Sequence, residues 1–310
     1  MTGDEFRLPD GTHIGHVHLQ VSDLERSLGF YEELLGFKRA LETAHPPRLV
    51  ETVALSATGE APYHILLTER VQSRPKPART TGLYHLAIRF PNRSALARVF
   101  ARLAAHRYLL QGASDHKVSE AIYLADPDDV GIELYADRPS KEWPREGDQV
   151  AMATDPLDVQ ALLAEAALED EPWHGIHPGT DIGHVHLHVS DLERAEAFYR
   201  GILGLEVTQR GYPGALFLSA GGYHHHVGLN IWAGRGAPRP PLDAVGMLSF
   251  GLRIPGEAPW RAVLARAEAA GLDFAARDTE QGTSTLLVDP DGNGVEVMLA
   301  DERIEEALQA

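Results

Sequence analysis

Cysteine is absent from this chain of 310 residues, and its absence excludes several kinds of chemistry at once. Disulfide bonds, thiolate nucleophiles, cysteine-bound zinc and iron–sulfur clusters all need a sulfur that the sequence does not contain. A metal site in this protein must therefore use His, Asp or Glu. Histidine is plentiful, since the chain has 16 histidines beside 28 lysines and arginines.

Basic charge and long apolar runs are also scarce. The 28 basic residues face 45 acidic ones, and the formal net charge of −17 disfavours nucleic-acid backbones and anionic lipid surfaces as partners. No apolar run approaches the roughly 20 residues that span a bilayer, and the first residues lack a secretory signal pattern. We therefore expect a cytoplasmic protein that acts on small molecules, with homo-oligomer formation left open.

An internal repeat organises the chain. The segment Ile14–Phe37 is identical to Ile182–Leu205 at 16 of 24 positions, 168 residues further on. A weaker repeat relates Leu124–Tyr135 to Val288–Met298, each an acidic turn followed by an apolar stretch. Each half of the sequence therefore contains two similar units, and the chain contains four.

Each unit reads as a strand, a helix and three further strands. Residues Gly15–Val21 and Gly183–Val189 alternate His or Gln with Val and Leu, which is the period of a strand with one apolar face. Ser22 and Ser190, each followed three residues later by Glu, predict capping boxes at the start of the next helix. These patterns predict an α+β fold of four βαβββ units.

The repeat also predicts the organisation of domains. We expect three ranges: residues 10–140 with units one and two, residues 141–180 as a linker with a helix near Leu157–Leu168, and residues 181–301 with units three and four.

Six of the histidines fall into two clusters on unit three. The first cluster alternates along the first strand and the second is consecutive on the last strand: His184, His186 and His188, then His224, His225 and His226. Imidazoles that share a buried strand face lose hydration unless they meet partners. A strand face that collects three imidazoles is therefore either solvated or built around a cation, and His is the commonest side-chain metal ligand.

The βαβββ units, the Gly-His pair that opens the first strand and the Pro-bearing turn before a Glu-containing last strand resemble the vicinal oxygen chelate superfamily. This superfamily includes glyoxalases, bleomycin-resistance proteins and extradiol ring-cleaving dioxygenases. The resemblance covers nearly the whole chain and implies two modules with open half-barrel sheets. The chain is most similar to two-domain proteins of the catechol 2,3-dioxygenase type. That similarity implies an enzyme that cleaves a catechol-type ring with O2 and uses Fe(II), with Mn(II) as the alternative.

The resemblance also implies a set of metal ligands. The family's first ligand is a His after Gly on a first strand, which corresponds to His184. The second is a His early in another unit's first strand, which corresponds to His85, and the third is a Glu on that unit's last strand, which corresponds to Glu133. Two His and one carboxylate on one face of an iron leave positions open for a diol and dioxygen.

Three further residues correspond to the family's positions for proton transfer and substrate binding. His225 matches the histidine that takes a proton from a catechol hydroxyl and returns it as an acid. Tyr123, ten residues before Glu133, and His116, upstream of that tyrosine, match donors to the substrate oxygens.

The repeat leaves the first ligand open, because His16 in unit one matches His184 in unit three. Pairing of units one and two would select His16, whereas pairing of units two and three would select His184. The histidines on the last strand of unit three favour His184. Unit four has no His on its first strand, so we expect Glu296 to be a structural acid and the chain to contain one active site.

Two rival functions are consistent with the scaffold. A glyoxalase-type isomerase or lyase needs carboxylates from both last strands, and the counterpart of Glu133 in unit three is Asn230. A metal-free binding or resistance protein is the non-enzymatic alternative, which the His, His and Glu set disfavours. The candidates for the wall of a ring pocket are Trp232, Phe217 and Tyr212, although aromatic residues in strands are more often part of a core.

Overall fold

The computed structural model describes residues 6–40, 52–167, 172–274, 276–279 and 282–300. These residues form strands β1 to β19 and helices α1 to α5 in the order expected for four βαβββ units, so the predicted α+β fold is confirmed. In the same residues no helix is long and apolar enough to cross a membrane.

The first half of the chain contains units one and two. Unit one consists of β1 His13–Val21, α1 Leu24–Leu28 continued by a π-helical segment Gly29–Leu34, β2 Lys38–Arg39, β3 Thr52–Ser56 and β4 Ile65–Glu69. Unit two consists of β5 Gly82–Phe90, α2 Arg93–Ala105, β6 Leu110–Asp115, β7 Ser119–Ala125 and β8 Gly131–Asp137.

The segment between the halves has structure of its own. It contains a 3-10 turn Ser140–Glu142, β9 Arg145–Glu146, β10 Gln149–Val150, β11 Asp155–Pro156 and α3 Val159–Ala166. The helix expected near Leu157–Leu168 is therefore present as α3, and Leu168 itself lies outside the described residues.

The second half repeats the order of the first. Unit three consists of β12 Asp181–His188, α4 Leu192–Tyr199, β13 Glu206–Gln209, β14 Ala215–Ser219 and β15 Val227–Asn230. Unit four consists of β16 Gly246–Ile254, α5 Glu257–Ala269, β17 Ala276–Thr279, β18 Gly282–Val288 and β19 Gly294–Leu299.

The two large sheets do not follow the two halves of the sequence. One sheet has the order β17-β18-β19-β16-β1-β4-β3-β2 and combines unit four with unit one. The other has the order β11-β6-β7-β8-β5-β12-β15-β14-β13 and combines unit two with unit three. At each centre the first strands of two units pair antiparallel, and within each unit the first strand runs parallel to the last. Each sheet therefore takes strands from both halves of the chain. The domain boundaries expected from the sequence, at 10–140, 141–180 and 181–301, stay a prediction.

Alternation along the central strands separates the core from the site. In β12, Val185 and Leu187 are fully buried in the hydrophobic core, as are Val17 and Leu19 in β1. Successive side chains of a strand point to opposite faces, so the intervening histidines lie on the other face of the sheet. The apolar faces pack in the core, and the histidine faces are left for a site.

The predicted capping boxes are wrong. Asp23 is the N-cap of α1 and accepts a hydrogen bond from the backbone N of Arg26 at 2.9 Å, and Asp191 does the same for α4. The hydroxyl of Ser22 instead donates to Asp128 at 2.6 Å, in the acidic turn before β8. Ser22 therefore forms a hydrogen bond between units one and two. Asp23 is the N-cap of α1 instead, and aspartate caps helices as well as serine does.

Gly131 allows the close approach of β5 and β8 that positions the site. A Cβ at this position would lie 2.2 Å from the backbone O of Tyr84 and 3.2 Å from Cβ of His85. The two strands pair in parallel with His85 opposite Gly131. A side chain at residue 131 would therefore push apart the strands that carry His85 and Glu133.

We expect Gly131→Ala to lower the free energy of unfolding by roughly 1 to 3 kcal/mol, the usual cost of overpacking. Gly29→Ala is the control, because a Cβ at Gly29 meets no atom within 4 Å, and it should change stability by about 0.5 kcal/mol or less. Denaturant unfolding of both variants measures the difference. Equal stability of the two variants would contradict the close approach of β5 and β8.

Candidate functional site

Three side chains that the sequence places far apart meet on the second sheet. His85 Nε2 lies 3.1 Å from Glu133 Oε2, and His184 Nε2 lies 3.4 Å from the same oxygen. Their ligand atoms all lie within 4.8 Å of one another, and all three residues are buried. The structure therefore brings together the three residues that the sequence proposed as metal ligands.

Strand register brings these residues together. In the antiparallel pair β5–β12, His184 lies opposite Ala87 and His186 lies opposite His85. In the parallel pair β5–β8, Ala87 lies opposite Glu133. His184 and Glu133 thus flank Ala87 from the two neighbouring strands, and the small side chain of Ala87 leaves room between them. Units two and three pair, so His184 and not His16 reaches His85 and Glu133.

Burial and close neighbours decide the protonation states. Burial would raise the pKa of Glu133, but the adjacent rings of His184 and His85 hold that pKa well below its usual range. Burial lowers the pKa of His184 to about 4. At neutral pH the cluster therefore has an anionic carboxylate and a neutral imidazole, which are the forms that bind metal ions.

The residues fit a divalent metal ion. The Nε2 atoms of His85 and His184 are buried and, among the described residues, have no hydrogen-bond partner of good geometry. Unpartnered buried nitrogens are costly unless something else satisfies them. A metal ion bound by Glu133 and the two imidazoles would satisfy both nitrogens.

A cavity of about 440 Å³ opens beside the cluster. His85 and Glu133 line it together with small, polar and aliphatic residues and with the aromatic rings of Tyr84, Phe217, Tyr212 and Trp232. The hypothesis that the last three line a pocket therefore agrees with the structure. Residues 152–154, in the segment expected to be a linker, also line the cavity. A cavity of this volume is in the range of pockets that bind small organic molecules.

The three other proposed residues also line this cavity. His225 stacks beside His184, with 4.1 Å between ring centroids. His116 donates from Nδ1 to the backbone O of Ala153 at 2.6 Å, so its Nε2 accepts from the Tyr123 hydroxyl, also at 2.6 Å. Burial and then the charge of Glu133 raise the pKa of Tyr123 well above its usual value, which keeps that hydroxyl a donor.

Sequence reasoning missed His186 and Tyr84 as cavity residues. His186 lies two residues after His184 on the same strand face, and its ring is 5.0 Å from that of His85. The ring of Tyr84 is tilted against that of His85 and packs edge-to-face against that of Trp232. The alternation along β12 was a signal for His186. Tyr84 directly precedes His85 on β5. Its position in the cavity wall depends on tertiary packing, so no local sequence signal indicated it.

The first sheet contains a second, altered copy of the cluster. His16 occupies the position of His184, Ser249 that of His85, and Glu296 that of Glu133. The Ser249 hydroxyl donates to Glu296 at 2.5 Å, and His16 Nε2 lies 3.6 Å from the same carboxylate. Burial raises the pKa of Glu296, but His16 and Ser249 outweigh it and bring the pKa to about 2. The carboxylate is satisfied by protein groups, as expected of a structural acid.

Comparison with known proteins identifies relatives of the chain. The family model described as Glyoxalase/Bleomycin resistance protein/Dioxygenase superfamily matches residues 13–134 and 181–297. A catechol-2,3-dioxygenase of Bacillus subtilis (strain 168) is 43% identical over 277 residues, which covers 87% of this chain and 92% of the relative.

Solved structures share the fold. A Bacillus subtilis protein provisionally assigned as a dioxygenase has a TM-score of 0.64 at 13% identity, covering 95% of this chain and 86% of the other. Glyoxalase I of Zea mays has a TM-score of 0.54 at 18% identity, covering 95% of each chain. At these identities the likeness concerns the fold alone.

The two copies of the cluster provide a matched test of metal binding. We expect Glu133→Gln to weaken Fe(II) or Mn(II) binding at least about 100-fold, because it removes the anionic ligand. Glu296→Gln should leave the affinity and a stoichiometry of one metal per chain unchanged, since the Ser249 hydroxyl already binds that carboxylate and serine stands where the second histidine would be. Metal analysis after equilibrium dialysis measures both. Loss of metal from Glu296→Gln with retention in Glu133→Gln would move the site to the first sheet.

Proposed function

Because this chain belongs to the Glyoxalase/Bleomycin resistance protein/Dioxygenase superfamily, we propose that it is an extradiol dioxygenase. In this proposal it opens a catechol-type ring next to the two vicinal hydroxyls and incorporates O2 into the product. The 43% identical relative bears the name catechol-2,3-dioxygenase, and the present chain spans 92% of it.

The single observation that carries the proposal is the buried cluster of two His and one Glu beside an aromatic cavity. A set of two imidazoles and one carboxylate that leaves other coordination positions open is typical of non-haem Fe(II) oxygenases. His85 and Glu133 reach the cavity wall, so a metal held there would meet a ring bound against Phe217 and Trp232.

The proposed metal is Fe(II), with Mn(II) as the alternative, held by His85, His184 and Glu133. When bound, it supplies a Lewis acid that favours loss of a diol proton and open positions at which the diol and O2 come together. With one anionic and two neutral ligands the site keeps a net positive charge, which favours a catecholate.

The remaining residues bind and move protons. His225 is the proposed base that takes a proton from a catechol hydroxyl and later returns it. Burial, and then the neighbouring His184 and His224, hold the pKa of His225 well below its usual range, so this ring is neutral and one of its two nitrogens has a lone pair. Tyr123 and His116 are the proposed donors to substrate oxygens. In the structure the Tyr123 hydroxyl donates to His116 Nε2, so it must leave that bond to donate to a substrate, and His116 can donate from Nε2 only after it has taken up a proton there.

The site geometry disfavours the glyoxalase-type alternative. That reaction needs a second carboxylate at the metal, and the corresponding residue is Asn230. Its amide oxygen contacts His188 Nδ1 at 2.6 Å and accepts from the backbone N of Trp232. Across the described parts of the chain, only the His85, Glu133 and His184 group has ligand-bearing atoms close enough for a metal.

Oxygen consumption tests the proposed function. Protein loaded anaerobically with Fe(II), and in parallel with Mn(II), should consume O2 when catechol is added and form a yellow ring-opened semialdehyde. The Glu133→Gln protein is the control for reactions of free metal. Absence of oxygen uptake across a panel of catechols and hydroquinones, with metal shown to be bound, would overturn the proposal.

The role of His225 has its own test. We expect His225→Ala to retain the metal and to lower kcat about 10²- to 10⁴-fold, the usual contribution of a positioned base. His226→Gln is the neighbouring control. His226 accepts from the backbone N of Ala220 and does not line the cavity, so kcat should be unchanged. Full activity of His225→Ala would assign the base elsewhere.

A further inference from the structure

A chain of hydrogen-bonded side chains leads from His225 to His224 and Asp137, which do not line the cavity. His225 Nδ1 lies 2.8 Å from Nδ1 of His224, and His224 Nε2 lies 2.9 Å from Oδ1 of Asp137, the last residue of β8. Neither His224 nor Asp137 has a role in the dioxygenase reaction as proposed above. His224 and His225 lie just before β15, outside the last strand on which the sequence had placed them, and the chain joins this segment of unit three to the last strand of unit two.

Asp137 ends this chain as an acceptor. Its Oδ2 accepts from the Tyr223 hydroxyl at 2.9 Å, and the guanidinium of Arg89 lies 3.6 Å from the same oxygen. Burial would raise the pKa of Asp137, but its bonds to His224 and Tyr223 and the charge of Arg89 bring that pKa below its usual value. An ionised carboxylate has no hydrogen to donate.

The direction of each hydrogen bond follows from that carboxylate. His224 Nε2 must carry a hydrogen, because its partner Asp137 can only accept. A neutral imidazole carries one hydrogen, so Nδ1 of His224 is an acceptor. The hydrogen between the two rings then belongs to His225 Nδ1, and His225 Nε2 is left with a free lone pair. Nε2 is therefore the nitrogen of His225 that can accept a proton.

His224 is buried among aromatic rings. Its ring packs against Trp143 at 5.2 Å and Tyr223 at 4.1 Å, and the residue is 1% exposed. A doubly protonated ring would be a charge removed from water, and Arg89 already provides a positive charge beside Asp137. A doubly protonated ring would instead donate to His225 Nδ1 and place the hydrogen of His225 on Nε2, so the proposal requires His224 to have a single hydrogen, on Nε2.

We propose that Asp137 and His224 are positioning residues that hold His225 in the tautomer with hydrogen on Nδ1 and a free Nε2. The arrangement resembles the logic of a Ser-His-Asp triad, in which a carboxylate sets the tautomer of the histidine base, with a second imidazole inserted between them. The inference rests on the proposed role of His225 in the dioxygenase reaction. The tautomer can nevertheless be observed without turnover.

Nitrogen NMR of the metal-free protein labelled with ¹⁵N-histidine tests the tautomer directly. Long-range proton–nitrogen spectra distinguish protonated from unprotonated ring nitrogens, and the His225→Gln and His224→Gln proteins assign the two rings. We expect hydrogen on Nδ1 of His225 and on Nε2 of His224. A wild-type protein with hydrogen on Nε2 of His225 would overturn the proposal, whether or not the enzyme turns over catechol.

Asp137→Asn tests the origin of the tautomer. With Tyr223 donating to its amide oxygen, the Asn amide presents its NH2 to His224, so both rings should reverse and the hydrogen of His225 should move to Nε2. In metal-loaded protein we expect kcat to fall at least about 100-fold, in line with the loss when a triad carboxylate becomes an amide, while metal content and KM stay close to wild type.

Asp181→Asn is the matched control. Asp181 binds the same Arg89, at 2.9 and 2.6 Å, but makes no contact with His224. It should leave the His225 tautomer and kcat unchanged. An Asp137→Asn protein with the wild-type tautomer and wild-type kcat would overturn the role of Asp137, as would an equal loss in Asp181→Asn. If no catechol is turned over by wild-type protein, the spectra still decide the tautomer, so the two proposals fail separately.

Discussion

The antiparallel pairing of β5 with β12 is the constraint on which the site depends. It joins a strand from each half of the chain and sets His186 opposite His85 and His184 opposite Ala87. Side chains alternate along a strand, so a shift of one residue on either strand would turn its histidine toward the hydrophobic core. The apolar residues between the histidines, Val185 and Leu187, prevent such a shift because they fill that core.

The site places unpartnered polar atoms on a sheet whose opposite face packs in the hydrophobic core. On one face of the second sheet the central side chains are buried and apolar, whereas on the other face imidazole nitrogens have no hydrogen-bond partner in the part of the chain that the structure describes. Burying such groups is unfavourable, so the rest of the fold must hold them in place. The first sheet shows the alternative outcome, since the hydroxyl of Ser249 binds the carboxylate of Glu296. The same fold thus holds one cluster with unpartnered imidazole nitrogens and one in which a serine hydroxyl binds the carboxylate.

Sequence reasoning succeeded where the signal was local and periodic. The alternation in β12 and β1 predicted strands with a polar face, and the repeat predicted four units of one topology. The candidates His85, Glu133 and His184 came from resemblance to a family, and the structure brings them together. The helix caps were wrong, because the sequence does not show that the Ser22 hydroxyl binds Asp128, a residue 106 positions away.

The amino-acid sequence by itself determined the four βαβββ units, the absence of sulfur ligands and the identity of the side chains available to a metal. Only the tertiary structure decided that unit two pairs with unit three, because both His16 and His184 follow glycine on equivalent strands. It also decided that Asp137 reaches His224 across 87 residues of chain. Local periodicity specifies which face a side chain occupies, whereas pairing between distant strands depends on how whole apolar surfaces fit together.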